Sequence, residues 1–314
     1  MENILEIKNL NVGFNIEINR KTNFYYALND INLSFEKGKI HAIAGESGCG
    51  KSVLINTILK LLPKNSEIKS GEIIFNNENL LKLKEKDFQK IRGKKISLIP
   101  QDPFMSLNPL YTIENQLLEV PTLKNNKDAK NIITSALEEV NIKNIKNVLK
   151  SYPHELSGGM KQRIIIAMAL IAQSELILAD EPTTALDVSV SNSILNLLLN
   201  LKEKGKTIIL ITHDLSIVSN YCDTTTIMYL GDIVETNSSN LLFKNPQHPY
   251  TRALLRALPD TKGKKLENIK GQISPITETI QGCKFNPRCE FVMDICKQKK
   301  PNLKCNTACF LSNC

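Results

Sequence analysis

One stretch decides the fold: Gly45-Glu46-Ser47-Gly48-Cys49-Gly50-Lys51-Ser52, which fits the pattern G-x-x-x-x-G-K-[ST] of a phosphate-binding loop. The apolar run 39–44 before it predicts a buried strand, and residues 53–62 after it carry apolar residues at helical spacing. Glycines let the backbone wrap a polyphosphate and point consecutive N–H groups at its oxygens. Lys51 supplies charge for the β- and γ-phosphates, and the Ser52 hydroxyl is placed to bind Mg²⁺. The stretch predicts a nucleotide site; a Gly-rich turn that binds nothing is the alternative.

A second motif consists of two carboxylates at the end of another apolar run, Leu176-Ile177-Leu178-Ala179-Asp180-Glu181. It has the form of a Walker B element, in which Asp180 would hold Mg²⁺ through its water shell and Glu181 would polarise the attacking water. Alone, a buried strand that ends in Asp-Glu is weak evidence. Phosphoryl transfer needs both a metal clamp and a positioned water, so the two motifs together predict nucleotide hydrolysis.

Length and composition indicate an ordinary globular chain with an appendage. At 314 residues it exceeds the usual size of one core, and 42% apolar with 23% charged residues is typical of soluble proteins. No apolar run approaches the roughly 18 residues of a membrane span, and residues 1–6 lack the features of a signal peptide. The net charge of +8 is spread thinly, and lysine clusters such as 262–265 are not interleaved with aromatics, so we expect no nucleic-acid partner.

Hydrophobic periodicity predicts an α/β core that carries an antiparallel part. Beyond the motifs above, the predicted strands are 5–14, 27–35, 70–75, 95–99, 207–212, 225–230 and 233–236. The predicted helices are 84–92, 158–173 and 188–204, with a loop over 101–111.

Two further segments interrupt this core. Residues 113–149 predict two or three helices with no strand between them, which implies a helical subdomain at about residues 102–157. Past Phe243 the periodic pattern gives way to prolines, lysines and cysteines. We therefore predict a domain over residues 1–245 and an extension over residues 246–314.

A third motif, Leu156-Ser157-Gly158-Gly159-Met160, opens the helix predicted over 158–173. It resembles the LSGGQ signature of the ATP-binding-cassette (ABC) ATPases, with Met160 in place of the glutamine. By themselves these residues would be interpreted as a serine N-cap followed by a Gly-rich helix start. Their position between the two other motifs, in this order, favours the ABC signature instead. The resemblance implies a P-loop NTPase core with an antiparallel β-subdomain, a helical subdomain and a short cysteine-rich C-terminal extension, with ATP and Mg²⁺ as cofactors.

The resemblance also implies roles for further residues. Gln101 looks like the Q-loop residue that touches Mg²⁺, Ala185-Leu186-Asp187 like the D-loop, and His213 like the switch histidine on the γ-phosphate. Ser157, Gly158 and Gly159 would complete the nucleotide site of a partner. The family stacks adenine on an aromatic near the end of the first strand. Phe14 has the best register, and Tyr25, brought close by an insertion over 15–23, is the main rival.

Two other stretches of sequence indicate a particular subfamily of the ABC ATPases. Residues 101–109 resemble the QDPxxSLNP run of oligopeptide, dipeptide and nickel importer ATPases, and His248-Pro249-Tyr250-Thr251, with Pro259 downstream, resembles the start of their C-terminal extension. The resemblance implies an ATP-hydrolysing subunit that powers import of oligopeptides or dipeptides, with nickel as the alternative cargo. A soluble ABC ATPase that acts on DNA is more distant, because residues 52–156 leave no room for a long coiled coil.

The same resemblance implies partners and a location. Catalysis would need a second, related ABC ATPase subunit, head to tail, so that each site receives the other chain's signature serine. Two transmembrane permeases and, indirectly, an extracytoplasmic substrate-binding protein would complete the assembly. The chain would lie peripherally on the cytoplasmic face of the cell membrane. The binding protein and the permeases would choose the cargo.

Cysteines crowd the end of the chain. The four that match the subfamily, Cys283, Cys289, Cys296 and Cys309, are associated in some members with a four-iron–four-sulfur cluster. Four thiolates also suit zinc, which the resemblance favours less, and an unmetallated tail is a third interpretation. In a reducing compartment such a cluster is more typical of a metal site than of disulfides. Cys305 and Cys314 depart from the pattern and are predicted to be spare thiols.

Overall fold

The computed structural model describes residues 2–124, 126–184, 186–258 and 269–312. The chain divides into two compact units. The first unit comprises Met1–Glu36, Ile40–Lys82 and Ile211–Cys314, and the second comprises Lys37–Lys39 and Leu83–Leu210. The extension thus falls in the same unit as the phosphate loop, and the predicted division at 245/246 stays a prediction. Predicted features that lie outside the described residues are Ala185, Pro259, the lysine cluster 262–265 and Cys314.

The predicted strands and helices occur in the predicted order, together with short elements that were not predicted. The strands are β1 (Asn3–Ile18), β2 (Lys21–Glu36), β3 (Ile40–Ala44), β4 (Ser66–Phe75), β5 (Glu78–Asn79), β6 (Ile96–Ile99), β7 (Leu176–Asp180), β8 (Thr207–Thr212), β9 (Thr224–Tyr229) and β10 (Asp232–Ser238). The α-helices are α1 (Lys51–Ile58), α2 (Glu85–Phe88), α3 (Pro103–Ser106), α4 (Ile113–Leu118), α5 (Ala129–Glu139), α6 (Ile145–Lys150), α7 (Gly158–Ile171), α8 (Val188–Glu203), α9 (Leu215–Tyr221), α10 (Ser239–Lys244), α11 (Pro249–Arg256) and α12 (Asp294–Gln298).

An antiparallel sheet of order β2-β1-β4-β5 forms the first part of the first unit. Its long hairpin β1–β2 turns at Asn19 and Arg20, whose φ angles of 52° and 63° are both left-handed. A two-residue turn of this kind matches the twist of the flanking strands. Residues 15–23, which the sequence presents as an insertion, therefore extend both strands beyond the predicted end at Phe14.

Strands β10, β9 and β3, in this order, form the second sheet region of the first unit. β3 pairs with β9 in parallel, and β9 pairs with β10 in antiparallel orientation. All five residues of β3 are buried, as its continuous apolar run predicts. This strand ends at Ala44 and delivers the chain directly into the phosphate loop.

In the second unit, β6 and β7 lie side by side and are parallel. Its helices α3–α6 follow one another without a strand in the described part, as the predicted helical subdomain requires. Helix α7 is buried along most of its length, including Ile164, Ile166 and Ala167. The unit thus positions the strand end of β7 and the start of α7 in one body.

Two local predictions were wrong, and one helix of the core was missed. The helix predicted over 84–92 is only the single turn of α2, and residues 103–106 form α3 inside the predicted loop. Helix α3 begins there because the Asp102 carboxylate accepts the N–H groups of Phe104 and Met105 and a proline occupies the first turn. Helix α9 was not predicted; Asp214 caps it by the same device.

Within the described residues, no helix combines the length and the apolar character that a membrane crossing needs.

Candidate nucleotide site

The phosphate loop lies between β3 and α1 in the first unit. Gly45 has φ 155°, and a Cβ there would lie 2.3 Å from the Met228 carbonyl oxygen of β9. Gly50 has φ 103°, and a Cβ there would lie 2.7 Å from the Ala27 carbonyl oxygen of β2. Only glycine fits both the backbone angle of Gly50 and this close approach. The motif glycines thus seat the loop tightly against two strands.

Lys51 is buried inside its own loop, with 5% of its surface exposed. Its ammonium donates hydrogen bonds to the carbonyl oxygens of Gly45 (2.8 Å) and Glu46 (3.0 Å). Neutral carbonyls compensate a buried positive charge only in part, so this ammonium favours an anion beside it. Cys49 lies 3.7 Å from the Lys51 nitrogen, and burial raises the pKa of its thiol. The loop therefore presents the Lys51 ammonium to a polyphosphate, and the Cys49 thiol adds no negative charge that would oppose the phosphates.

In the second unit, Gln101 and Glu181 come together although they were predicted from separate motifs. The Gln101 side-chain amide donates to the Glu181 carboxylate (3.2 Å), and the Thr184 hydroxyl donates to the same oxygen (2.9 Å). Glu181 also has a φ of 44°, a left-handed angle that is costly for a residue with a side chain. Strain of this kind concentrates at functional sites. Asp180 precedes it as the last residue of β7.

The signature and D-loop residues begin helices. The Ser157 hydroxyl accepts the Met160 N–H at 3.3 Å at the start of α7, and the Asp187 carboxylate accepts the Val190 N–H at 2.9 Å at the start of α8. A Cβ on Gly159 would lie 2.7 Å from a Val190 methyl group, so α7 and α8 pack closely there. These are helix-capping and packing contacts. The predicted contacts with a nucleotide stay a prediction.

His213 follows β8 directly and is exposed, in the first unit with the phosphate loop. Gln101, Asp180, Glu181, the signature and Asp187 belong to the second unit. These residues lie at the strand ends and helix starts given above, and their roles stay predictions.

A pocket of about 230 Å³ lies beside the phosphate loop in the first unit. Gly48, Tyr25, Tyr26 and Ile276 are among its lining residues. Phe14, the predicted adenine partner, pairs with Tyr25 across the hairpin but does not line this pocket. Tyr25, the alternative to Phe14, lines the pocket, and which aromatic stacks on adenine stays a prediction.

The extension contributes contacts to the loop that the sequence reading missed. The Tyr250 hydroxyl accepts the Glu46 N–H, and Arg288 forms an ion pair with the Glu46 carboxylate. Burial lowers the pKa of His248 to about 4, so its neutral ring can accept the Tyr250 N–H and cap α11. These partners lie some two hundred residues from the loop in sequence, and no local pattern signals them.

The four matched cysteines line one small pocket of the first unit. All four are free thiols, and burial, followed by the neighbouring cysteines, raises the pKa of Cys283 to about 11. Backbone N–H groups of Phe291 and Leu311 donate to the sulfurs of Cys289 and Cys309. No group of three or more metal-ligating side chains is arranged to hold an ion within the described ranges, so the cluster stays a prediction. The prediction for Cys305 was wrong, because it forms a disulfide.

Two family profiles match the chain. The profile of the ABC transporter family matches residues 28–184, and that of the oligopeptide/dipeptide transporter C-terminal region matches residues 234–296. The chain belongs to the ABC transporter family. The predicted fold is confirmed for the ATPase core, and as a member of this family the protein is an ATPase.

Several relatives resemble this ABC ATPase over most of its length. A probable peptide ABC transporter ATP-binding protein, y4tR of Sinorhizobium fredii, is 42% identical over 88% of this chain and 85% of its own. The dipeptide transport ATP-binding protein DppD of Lactococcus lactis is 41% identical over 96% and 87%. The oligopeptide transport ATP-binding protein OppD of Escherichia coli is 40% identical over 95% and 89%.

Solved ABC cassettes have the same fold. The dimeric cassette MJ0796, bound to ADP and phosphate after hydrolysis, is 28% identical and covers 75% of this chain and 98% of its own, with a TM-score of 0.66. The protein cbiO1 of Clostridium perfringens, part of the transporter complex cbiONQ, is 27% identical and covers 78% and 92%, with a TM-score of 0.64.

We predict that Glu181→Gln abolishes turnover but spares ATP binding. The amide keeps the shape of the carboxylate but removes its charge, so water would no longer be polarised, and the rate should fall at least about a hundredfold. Phosphate release by the purified complex measures the rate, and nucleotide titration measures binding. Near-normal hydrolysis would remove Glu181 from this role. Thr184→Ser, which keeps the hydroxyl donor to Glu181, is the matched control.

Proposed function

We propose that this chain is the ATP-hydrolysing subunit that powers an importer of dipeptides or oligopeptides. The single observation that carries the proposal is the match of residues 234–296 to the C-terminal region of oligopeptide/dipeptide transporters. The three relatives named above, which match nearly the whole chain, carry peptide transport in their names. Nickel as cargo has no such support.

The charges of the site suggest how hydrolysis proceeds. Lys51 and the N–H groups of residues 45–52 would neutralise the phosphates, while the Ser52 hydroxyl, Gln101 and Asp180 would hold Mg²⁺. The magnesium ion would polarise the phosphoryl oxygens. Glu181 would accept the hydrogen bond of the attacking water, and its bond from Gln101 fixes the carboxylate orientation. His213 would contact the γ-phosphate.

Assembly would complete the site. Ser157, Gly158, Gly159 and Asp187 would serve the nucleotide bound by a second ABC ATPase subunit, arranged head to tail. The dimeric form of the solved cassette supports a dimer for this chain. Two permeases would hold the pair at the cytoplasmic face of the membrane, and a substrate-binding protein would deliver the cargo.

A transport assay tests the proposal. Because no helix of the described residues could span a membrane, we predict that the chain enters the membrane fraction only when its permeases are co-expressed. The complete set of subunits should then take up a labelled peptide in an ATP-dependent manner, and Glu181→Gln should stop the uptake. Uptake of nickel without peptide would select the alternative cargo. Stable membrane attachment without permeases would contradict the peripheral location.

We predict that Lys51→Ala weakens ATP binding itself, by about tenfold or more, because the buried ammonium is the charge that meets the phosphates. Fluorescence titration of a labelled nucleotide measures the affinity. Lys37→Ala, an exposed lysine outside the loop, is the control. Unchanged affinity with reduced turnover would show that the loop backbone alone binds the nucleotide.

The extension would hold a four-iron–four-sulfur cluster through Cys283, Cys289, Cys296 and Cys309. Support comes from the four free thiols that line one pocket and from the N–H groups that donate to two of the sulfurs, a common device around thiolate-bound metals. When bound, the cluster would cross-link a tail that has little apolar surface to bury. Zinc is the second candidate.

We predict that protein purified without oxygen is brown, with about four iron and four sulfide per chain. Cys289→Ser should bleach the protein and expose the extension to protease. Cys222→Ser, at a buried cysteine away from the pocket, should leave the colour unchanged. Colourless protein with one zinc would select the other metal, and protein without any metal would refute the site.

A further inference from the structure

The extension contacts the second residue of the phosphate loop, Glu46, through a partly buried ion pair. The two terminal nitrogens of Arg288 donate to the two carboxylate oxygens of Glu46, at 2.8 and 3.1 Å. Only 5% of the Arg288 side chain and 24% of the Glu46 side chain are exposed. Two parallel charge-assisted bonds of this kind fix geometry as well as charge.

The extension also forms a hydrogen bond with the backbone of Glu46. The Glu46 N–H donates to the Tyr250 hydroxyl at 3.0 Å. Tyr250 is fully buried and packs against Tyr229 and Phe285, with ring centroids 4.7 and 5.2 Å away. Arg288 also donates to the Tyr229 hydroxyl at 3.3 Å. Side chain and backbone of Glu46 are thus held by one aromatic and cationic cluster.

The ion pair neutralises the Glu46 carboxylate, which would otherwise repel the phosphates of a nucleotide. Glu46 is a carboxylate in a loop that receives a polyphosphate, and like charges in a partly buried site repel strongly. Paired with Arg288, Glu46 adds no net charge to the loop. Without Arg288 its carboxylate would oppose the phosphates and would be free to leave its position.

We propose that Arg288 is a positioning residue for nucleotide binding, which acts by neutralising Glu46 and by holding the start of the phosphate loop. This inference rests on the proposed function, since it concerns the ATP site assigned there. Neither the loop pattern nor the signature motifs include a residue of the extension.

The position of Arg288 depends on the fold of the cysteine segment. Arg288 ends the 3₁₀ turn Asn286–Arg288, which lies between Cys283 and Cys289. Its Nε donates to the Lys270 carbonyl oxygen at 3.0 Å, which fixes the stem of the side chain. Any change that unfolds this segment would withdraw the guanidinium from Glu46. The state of the extension is therefore coupled to nucleotide affinity.

A double-mutant cycle tests the proposal. Mg-ATP affinity is measured by calorimetry for the full-length chain, for Arg288→Ala, for Glu46→Gln and for the double variant. We expect Arg288→Ala to weaken binding about tenfold. The added Glu46→Gln should recover at least about half of that loss on a logarithmic scale, because it removes the uncompensated charge. Recovery supports action through Glu46.

Two results would overturn the proposal. If Arg288→Ala leaves affinity unchanged, the ion pair does not serve the nucleotide. If it weakens binding and Glu46→Gln recovers nothing, Arg288 acts on the phosphates directly or through the fold alone. Should Arg288→Ala fail to fold, Arg288→Gln replaces it in the same cycle. A wild-type chain that does not bind Mg-ATP would instead contradict the proposed function.

Matched controls separate this role from general loss of the extension. Arg256→Ala removes an exposed arginine of the same extension, paired with Glu290 at 3.4 Å, and should change affinity less than about twofold. Arg288→Lys keeps the charge but cannot form two parallel bonds, so its affinity should lie between wild type and Arg288→Ala. An Arg288→Lys affinity equal to that of Arg288→Ala would contradict the neutralising role.

Discussion

The site depends on a buried ammonium that is enclosed by backbone dipoles. Lys51 is almost inaccessible, and its hydrogen bonds to the carbonyl oxygens of Gly45 and Glu46 hold the loop around it. Burying a charge with neutral acceptors is costly, and the bound polyphosphate would offset that cost. A bound polyphosphate would therefore stabilise the loop as well as occupy it.

Everything around the loop keeps that arrangement in place. β3 delivers the chain, β9 and β2 approach Gly45 and Gly50 too closely for any side chain, and Tyr250 receives the Glu46 N–H. We therefore expect the cation and the N–H groups to be organised in advance, so that binding and catalysis need little reorganisation when charge develops. The C-terminal extension takes part in this support.

Motif spacing predicted the local setting of the site well, because each motif carries its own backbone geometry. The phosphate loop, the carboxylates after β7 and the helix start at Ser157 all lie where the pattern requires. Sequence patterns could not predict two side-chain pairs, because each joins residues far apart in the chain. These pairs are Gln101 with Glu181 and Arg288 with Glu46. Tyr25 lines the pocket and Phe14 does not, because the register of the β1–β2 hairpin is a property of the folded sheet that the sequence pattern does not specify. Helix α3 was missed because a side-chain cap overrode the proline-rich composition.

Amide hydrogen exchange over residues 45–52, in the absence of nucleotide, tests most directly whether this loop is organised in advance. The account predicts slow exchange across the loop, comparable to that of β3, with a further decrease on addition of Mg-ATP. Exchange at the rate of an unstructured peptide, with protection only after Mg-ATP binds, would contradict it.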